Sequence, residues 1–491
     1  MTSYLRVSGT RIVDSSGEEV ILRGAGLGGW MNMENFISGY PGCEFQIREA
    51  LAETIGKESS EYFFDQACRF LEAFFQDADA AFFKGLGLNC IRIPFNYHHF
   101  EDDQNPRVLK KDGFKHLDRV IDLCANHGIY TILDLHAAPS GQNTDWHSDN
   151  GGHVANFWNH KDHQDRAIWL WEHLAVHYKR NKWIAGYNPL NEPTEPEHTR
   201  LVEYYDRLYD AIRKIDAHHI LFLDGNTFAS DFTHFGDEYV KKWENTSYSI
   251  HDYSRFGFPA SQEKYVGSDA QVRVLTKAYE KKREWLDKRG LCVWNGEWGP
   301  VYARKEYEGD ATDEINDSRI HVLKDQLVLY NRDRISWSIW LYKDIGFQGM
   351  VYVSPETPYR TLFKDFLDRK HRLAVDAWGA DDSRVRQIYQ PLVDHIIEEI
   401  PPQYLNLYPW PVWKLVDRVT RLSRNILVAE FLVREWADHF KQLTKEDIKA
   451  LAWSFSFENC LHRDRLNEAL KENATRPEKL TPSFVEDSEG M

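Results

Sequence analysis

Two glutamates stand at the ends of short apolar runs in this chain. One follows Trp183-Ile184-Ala185-Gly186-Tyr187 in the stretch Asn188-Pro189-Leu190-Asn191-Glu192-Pro193, and the other closes Leu291-Cys292-Val293-Trp294-Asn295-Gly296-Glu297. A β-strand running out into a polar loop has this appearance, and Pro193 biases Glu192 towards an extended backbone while stopping ladder pairing. Taken singly, a glutamate before a proline can simply close a strand and begin a solvent-facing turn. Both, however, have Trp, Pro or Gly neighbours that would wall them in, and two opposed carboxyl groups are what acetal hydrolysis requires. One must be protonated to help the leaving oxygen depart, the other ionised to attack or to stabilise oxocarbenium charge. A metal site is the competing reading of the same residue types. No HExxH supports it, and the rings of the adjacent pairs His98-His99 and His218-His219 would diverge on an extended backbone.

The elements that must bring these residues together are eight short apolar segments, at 21–26, 88–94, 128–136, 184–187, 219–223, 248–251, 291–295 and 335–341. Helical patterns separate most of them, at 113–126, 162–178, 198–214, 270–288 and 318–332. Near-continuous apolar strands between helices predict a parallel sheet covered on its outside, here an α/β fold closed as a (β/α)8 TIM barrel. Residues 4–13 and 18–25 alternate weakly around Asp14-Ser15-Ser16-Gly17 and predict an N-terminal hairpin closing one end. Residues 45–85 carry helical periodicity anchored by Phe63, Phe64, Phe70, Phe74, Phe75 and Phe82. Helices at 360–371 and 383–400 complete a barrel domain spanning 1–400. The Trp/Pro-rich segment Tyr408-Pro409-Trp410-Pro411-Val412-Trp413 leads to helical runs at 412–440 and 445–470. These predict a C-terminal helical extension, 401–471, packed on the barrel, because so few residues make only a marginal core alone. The mixed-charge tail 472–491 is expected to be disordered.

In such a barrel the site lies at the C-terminal ends of the strands. Read in order, those ends carry Trp30 and Glu34, then Arg92, His136, Asn191 and Glu192, His251 and Tyr253, Glu297, and Trp340. The glycine run Arg23-Gly24-Ala25-Gly26-Leu27-Gly28-Gly29-Trp30 lacks the Lys-Ser/Thr pair of a phosphate-binding loop, and reads as a tight strand exit into a pocket.

Composition narrows the partners. A net charge of -16 argues against nucleic acid and anionic membranes. The 17 Trp, 24 Tyr and 27 Phe suit a pocket that stacks flat ligands as well as a core. The six cysteines are scattered, with no CxxC or Cys/His cluster, so neither structural zinc nor a disulfide framework is indicated. Met1-Thr2-Ser3-Tyr4-Leu5-Arg6 does not open a signal peptide and no run is long enough for a membrane span. The expected compartment is therefore cytoplasmic, or secreted if a leader has been removed.

The ordered set Leu22-Arg23-Gly24, Gly28-Gly29-Trp30, Gly87 to Pro94, Leu133 to Pro139, Asn191-Glu192-Pro193, His251-Asp252-Tyr253, Gly296-Glu297-Trp298-Gly299 and Trp340 resembles glycoside hydrolase family 5, within the retaining (β/α)8 glycosidases. The resemblance implies Glu192 as acid/base and Glu297 as nucleophile, with Asn191 on the sugar 2-hydroxyl. It implies Arg92 beside the nucleophile, His136 lining the glycone site, His251 and Tyr253 bracketing the carboxyl groups, and Trp340 as a platform under the sugar. An arginine beside a carboxylate favours its ionised form, and apolar surroundings keep an acid protonated. No metal or organic cofactor is implied, and the partner is a small-molecule glycoside or oligosaccharide. The pattern is nearest to fungal exo-acting β-glucosidase and exo-β-1,3-glucanase members. It departs from them in an insertion at 32–62, a loop at 140–159 and the long C-terminal tail. The expected activity is a retaining β-glucosidase working from the non-reducing end. A β-diglycosidase and an exo-β-1,3-glucanase are alternatives, since Gly141 to His147 could narrow the pocket and Trp146, Trp158 and Trp294 could serve glycone or aglycone. A non-catalytic carbohydrate-binding barrel is the remaining class, and the presence of Glu192, Glu297, Arg92 and Asn191 argues against it.

Overall fold

The computed structural model describes residues 4–65, 69–152, 154–261, 263–376, 378–405 and 415–476. Cys68, the Trp/Pro-rich stretch 408–413 and residues 477–491 lie outside the described residues, whereas the first part of the tail expected to be disordered, 472–475, ends the helix Asp464–Thr475. An antiparallel hairpin, β1 (Arg6–Ser8) and β2 (Arg11–Val13), precedes eight barrel strands. These are β3 (Arg23–Gly26), β4 (Cys90–Asn96), β5 (Tyr130–Ala137), β6 (Ile184–Asn188), β7 (Ile220–Asp224), β8 (Thr246–His251), β9 (Val293–Glu297) and β10 (Ser336–Ile339). All eight apolar segments are therefore strands. They pair in sequence order as parallel neighbours, and β10 closes the barrel on β3 through Trp337 opposite Arg23 and Ile339 opposite Ala25. The outer helices turn one apolar face inward. In Asp112–Asn126 the buried set is Phe114, Leu117, Val120, Ile121 and Cys124, at the three- and four-residue spacing of a helical stripe.

The hairpin is tighter than expected. It turns at Gly9, whose φ of 59° a glycine adopts at no steric cost, whereas the turn at Asp14–Gly17 returns the chain only to a bridge between Val13 and Glu19. Leu5 and Ile12 pack with Leu22, Cys90, Ile132, Ala185, Ile220, Phe222, Cys292 and Trp294 in a cluster separate from the main core. The hairpin thus plugs the end of the barrel away from the glutamates. The periodic stretch 45–85 is several helices, Glu44–Ile55, Lys57–Phe64, Phe70–Ala73 and Asp77–Gly85, the first break being Gly56 at φ 85°.

Beyond β10 the chain forms β11 (Lys343–Asp344) and β12 (Val351–Val353), and then the helices Pro358–Leu362, Lys364–Arg372 and Ser383–Glu399. The run expected to be helical over 445–470 contains a strand, β13 (Cys460–His462), which pairs antiparallel with β12. Lys343, fully buried, ties the layers together: its Nζ donates to the carbonyls of Phe74 (2.7 Å) and Phe455 (2.9 Å) and faces Asp79 at 2.7 Å. Trp436 of the helix Ala429–Asp438 packs on Tyr40 and Phe363, so the insertion after β3 and the C-terminal extension share one aromatic core. Among the described residues no helix is long and apolar enough to cross a membrane.

Candidate active site

Strand register puts the polar strand ends at one level. Asp134 of β5 lies opposite Asn188 of β6, and His251 of β8 opposite Glu297 of β9. The second pairing follows a register shift between Ile250 and His251, an irregularity that leaves His251 Nδ1 3.7 Å from Glu297 Oε2. Carboxylate oxygens of Glu192 and Glu297 and a ring nitrogen of His251 lie within 4.8 Å of one another. A retaining displacement needs carboxyl groups ~5–5.5 Å apart, whereas an inverting one needs ~6.5–9.5 Å to seat a water. The close approach of one oxygen from each carboxyl group is compatible with the shorter, retaining spacing.

Each glutamate has its own supports. Glu297 Oε1 accepts from Arg92 Nη1 at 2.5 Å and Oε2 from the Tyr253 hydroxyl at 2.8 Å. The rest of the buried Arg92 fork donates to Asn191 Oδ1 (2.6 Å) and Asn188 Oδ1 (2.9 Å) and faces Asp134 at 3.0 Å. Glu192 Oε1 lies 2.6 Å from His251 Nδ1, and Oε2 lies 3.1 Å from His147 Nε2. Apolar walls were expected around Glu192, and instead the loop after β5 brings in His147 as a second imidazole. Burial pushes the Glu192 carboxyl up, but the two imidazoles outweigh it and hold it well below the usual carboxylate range. Both histidines are raised in turn, against burial, which would lower them. Their carboxylate neighbours win.

The backbone at Glu192 also departs from expectation. Its φ is 46°, left-handed rather than extended. Two hydrogen bonds hold it there: Glu192 N donates to Asp224 Oδ2 (2.9 Å), and Asn143 Nδ2 donates to the Glu192 carbonyl (3.1 Å).

His136 and Trp340 line the same cavity as the two carboxyl groups. His136 stacks flat on Trp340, with ring centroids 5.3 Å apart and an interplanar angle of 2°. Its Nδ1 is 2.8 Å from Asp134, and its Nε2 is 3.5 Å from Glu34 and 3.3 Å from Asn191 Nδ2. Burial would lower the imidazole, but Asp134 and Glu34 push it up to about 10. Glu34 lines the cavity, with its buried Oε1 on the side of the His136 imidazole. Gly26 and Gly28 form the floor beneath Trp340, because a Cβ on either would stand 2.6 Å from its indole. The glycine run is therefore a strand exit that makes room for a ring.

The cavity is about 190 Å³, below the ~300–1,000 Å³ of common ligand clefts, and so fits a small ligand. Glu34, His136, Trp146, Glu192, His251, Tyr253, Glu297 and Trp340 line it. Arg92 and Asn191 sit immediately behind. Three tryptophans expected in it do not reach it. Trp30 is buried with its indole N–H on the Leu71 carbonyl (2.6 Å), and Trp294 faces the barrel interior beside Phe222. Trp158 donates to the Gln142 carbonyl (2.8 Å) and lines a neighbouring cavity with Thr144 and Arg418. Their side chains point away because strand alternation and loop packing, not proximity in sequence, decide direction. The pocket also contains Asp145 and His147, from the loop expected to narrow it, and Phe36, Phe228, Trp378 and Arg421, which sequence reasoning did not single out. Asp134, Asn188 and Asp224, polar residues inside apolar strands, did carry a readable signal.

Two clusters among the described residues have metal-ligand spacing: Glu192, His251 and Glu297, and separately His198, Asp231 and His234. In the first, Arg92 already supplies the positive charge on Glu297. In the second, Asn226 Nδ2 donates to His198 Nδ1 at 2.7 Å and occupies that lone pair.

A closed barrel with paired carboxylates at the strand ends, a stacking tryptophan and a small pocket has the architecture of a glycoside hydrolase. Residues 59–346 match the family model described as cellulase (glycosyl hydrolase family 5). A β-xylosidase of Phanerodontia chrysosporium is 72% identical over 473 residues, covering 96% of this chain and 98% of its own. A glucan 1,3-β-glucosidase of Candida oleophila is 30% identical over 213 residues, 40% of this chain and 48% of its own. The crystal structure of an endogalactoceramidase is similar at 16% identity and a TM-score of 0.49, covering 69% of this chain and 74% of that one. The chain belongs to glycosyl hydrolase family 5, and is a glycoside hydrolase.

The expected β-glucosidic specificity is overturned. A relative 72% identical over nearly the whole chain is a β-xylosidase, while the glucan glucosidase of Candida oleophila is 30% identical over 40% of the chain. Xylose and glucose differ by the hydroxymethyl on C5, whereas the roles the resemblance implies for Glu192, Glu297 and Asn191 concern C1 and the 2-hydroxyl, which both sugars share.

Proposed function

We propose that this chain is a retaining β-xylosidase, hydrolysing β-xylosidic bonds with Glu192 as acid/base and Glu297 as nucleophile. The approach of their oxygens to within 4.8 Å carries the reaction type, and the 72% identical β-xylosidase supports the sugar. Arg92 and the Tyr253 hydroxyl each hold one oxygen of Glu297, so the carboxylate is aimed before substrate arrives. Glu297 attacks C1 while Glu192 protonates the departing oxygen, leaving a xylosyl ester on Glu297. Glu192 then takes a proton from water, the resulting hydroxide attacks C1, and the ester bond to Glu297 breaks. The proton for the first step resides in the set formed by Glu192, His251 and His147. A leaving oxygen that displaces one imidazole from Glu192 lets the carboxyl take that proton back. His136 and Trp340 form the glycone wall.

The test is turnover of an aryl β-xyloside and its response to leaving group. Glu297→Ala should abolish turnover with the fold intact by circular dichroism. Glu192→Gln should lose about 10²–10⁴-fold on xylobiose and far less on a dinitrophenyl xyloside, whose leaving group needs no proton. Unchanged turnover in Glu297→Ala would sink the assignment.

A further inference from the structure

Glu192 is held between two imidazoles, and they are not equivalent. His251 faces three carboxylates: its Nδ1 lies 2.6 Å from Glu192 and 3.7 Å from Glu297, and its Nε2 lies 3.6 Å from Asp224. His147 meets Glu192 differently. Its Nε2 lies 3.1 Å from Glu192 Oε2, and the side-chain nitrogen of the buried Asn143 lies 2.9 Å from the same ring atom. The orientation of that amide is fixed at both ends. Asn143 Oδ1 accepts from the Asp145 backbone N–H at 3.0 Å, and Nδ2 donates to the Glu192 carbonyl at 3.1 Å. Reversing the amide would set N–H against N–H and oxygen against oxygen. An amide nitrogen only donates, so its second hydrogen points at His147 Nε2. The His147 backbone is held in turn, its carbonyl accepting from Asn32 Nδ2 at 3.0 Å.

A proton on His147 Nε2 would meet this N–H head-on, whereas a bare Nε2 accepts from it. Asn143 therefore opposes the imidazolium and favours the hydrogen of the His147–Glu192 contact on the carboxyl side. The charges facing His147 act the other way: Glu192 and, further off, Asp145 and Glu34 favour the imidazolium, while Arg421 is paired with Asp145. The His136 ring stands beside His147, with centroids 5.6 Å apart. We infer that Asn143 is a positioning residue for the acid step: by donating to His147 Nε2, it passes the proton shared in that contact on to Glu192 Oε2. The Nε2–H bond breaks as the Oε2–H bond forms, and the same proton then leaves with the aglycone oxygen. Glu192 recovers one from water in the second step. His251, among three carboxylates, retains its own. The inference rests on the reading of Glu192 as the acid/base.

Full-length Asn143→Ala, Asn143→Ser, His147→Phe and the double variant His147→Phe/Asn143→Ala, with kcat/KM followed against pH on xylobiose and on a dinitrophenyl β-xyloside, test it. Without the amide, His147 keeps the proton. Asn143→Ala should then lower the plateau on xylobiose about 10- to 100-fold, the size of one hydrogen bond at a charged group, and lower it far less on the dinitrophenyl substrate. Because the favoured imidazolium also loses its proton later, the alkaline limb on xylobiose should move up by about one pH unit or more. A merely structural role would lower both substrates together and leave the limb in place. Asn143→Ser keeps an acceptor for the Asp145 N–H, is too short to reach His147, and serves as the readout if the alanine variant does not fold. In the His147→Phe background, Asn143→Ala should move neither the limb nor the ratio between the two substrates. Equal losses on both substrates with an unmoved limb, or the same effect with and without His147, overturns the inference. Glu192→Gln run alongside separates the two readings. Equal losses on both substrates in that variant overturn the acid/base assignment, whereas a loss concentrated on xylobiose upholds it and leaves the Asn143 variants to decide the role of Asn143.

Discussion

Glu192 occupies a backbone conformation that a non-glycine residue holds at a cost of about 1–3 kcal/mol, and its neighbours are arranged to meet it. Asp224 takes its N–H and Asn143 binds its carbonyl, so the strained turn and the aim of the carboxyl are one feature. His136 is likewise held by its neighbours, here through charge. Its buried imidazole is pushed up to about 10 from an ordinary 6.5 by Asp134 and Glu34, which outweigh burial. A raised histidine contributes stability that is fully present below about pH 6.5 and is lost as pH rises through about 10. Melting temperatures of the unaltered protein and His136→Phe should therefore differ most near pH 6 and converge above pH 10. A gap that widens with pH would contradict this pairing. The pH window could not be read from sequence, because Asp134 is its neighbour on the strand but Glu34 comes from another segment.

At the scale of elements, the exit from β3 and the platform after β10 are parts of one construction. Gly26 and Gly28 leave the space in which the Trp340 indole lies, and His136 from β5 stacks parallel to it. Gly26→Ala should push the ring off its position and cost about 1–3 kcal/mol of stability by overpacking. Turnover of an aryl β-xyloside should fall at least about tenfold, as expected when a positioning surface shifts by an ångström. Normal kinetics in this variant would show that Trp340 can relax without consequence. The glycine run was legible as a tight strand exit. Its partner was not, because Trp340 lies more than three hundred residues along the chain and only barrel closure brings β10 beside β3.

Across the whole molecule, the insertion at 32–62 and the C-terminal extension, both departures from the expected pattern, support each other. Tyr40, Phe363, Trp436 and Phe440 pack in one cluster, and β13 extends the sheet begun by β11. The extension should accordingly unfold with the barrel. Trp436→Ala should lower stability by about 3–5 kcal/mol, shifting a single urea transition to lower concentration when followed by circular dichroism and fluorescence. A separate early transition that leaves the main one in place would show an independent extension.

The sequence by itself determined the barrel, because strands buried on both faces must be apolar along their length and their helices amphipathic. It also marked Glu192, Glu297, Arg92, Asn191, His136, His251, Tyr253 and Trp340, since polar and aromatic residues that recur at the same end of successive parallel strands must meet at one mouth of the barrel. What only the tertiary structure decided were the contacts made across the chain. These are the His147 imidazole on Glu192, the left-handed turn at Glu192, the burial of Trp30 and Trp294 away from the pocket, and the arrival of Arg421 from the extension. Local pattern records which face of a strand or helix is buried, but it carries no information on which distant segment will cover it.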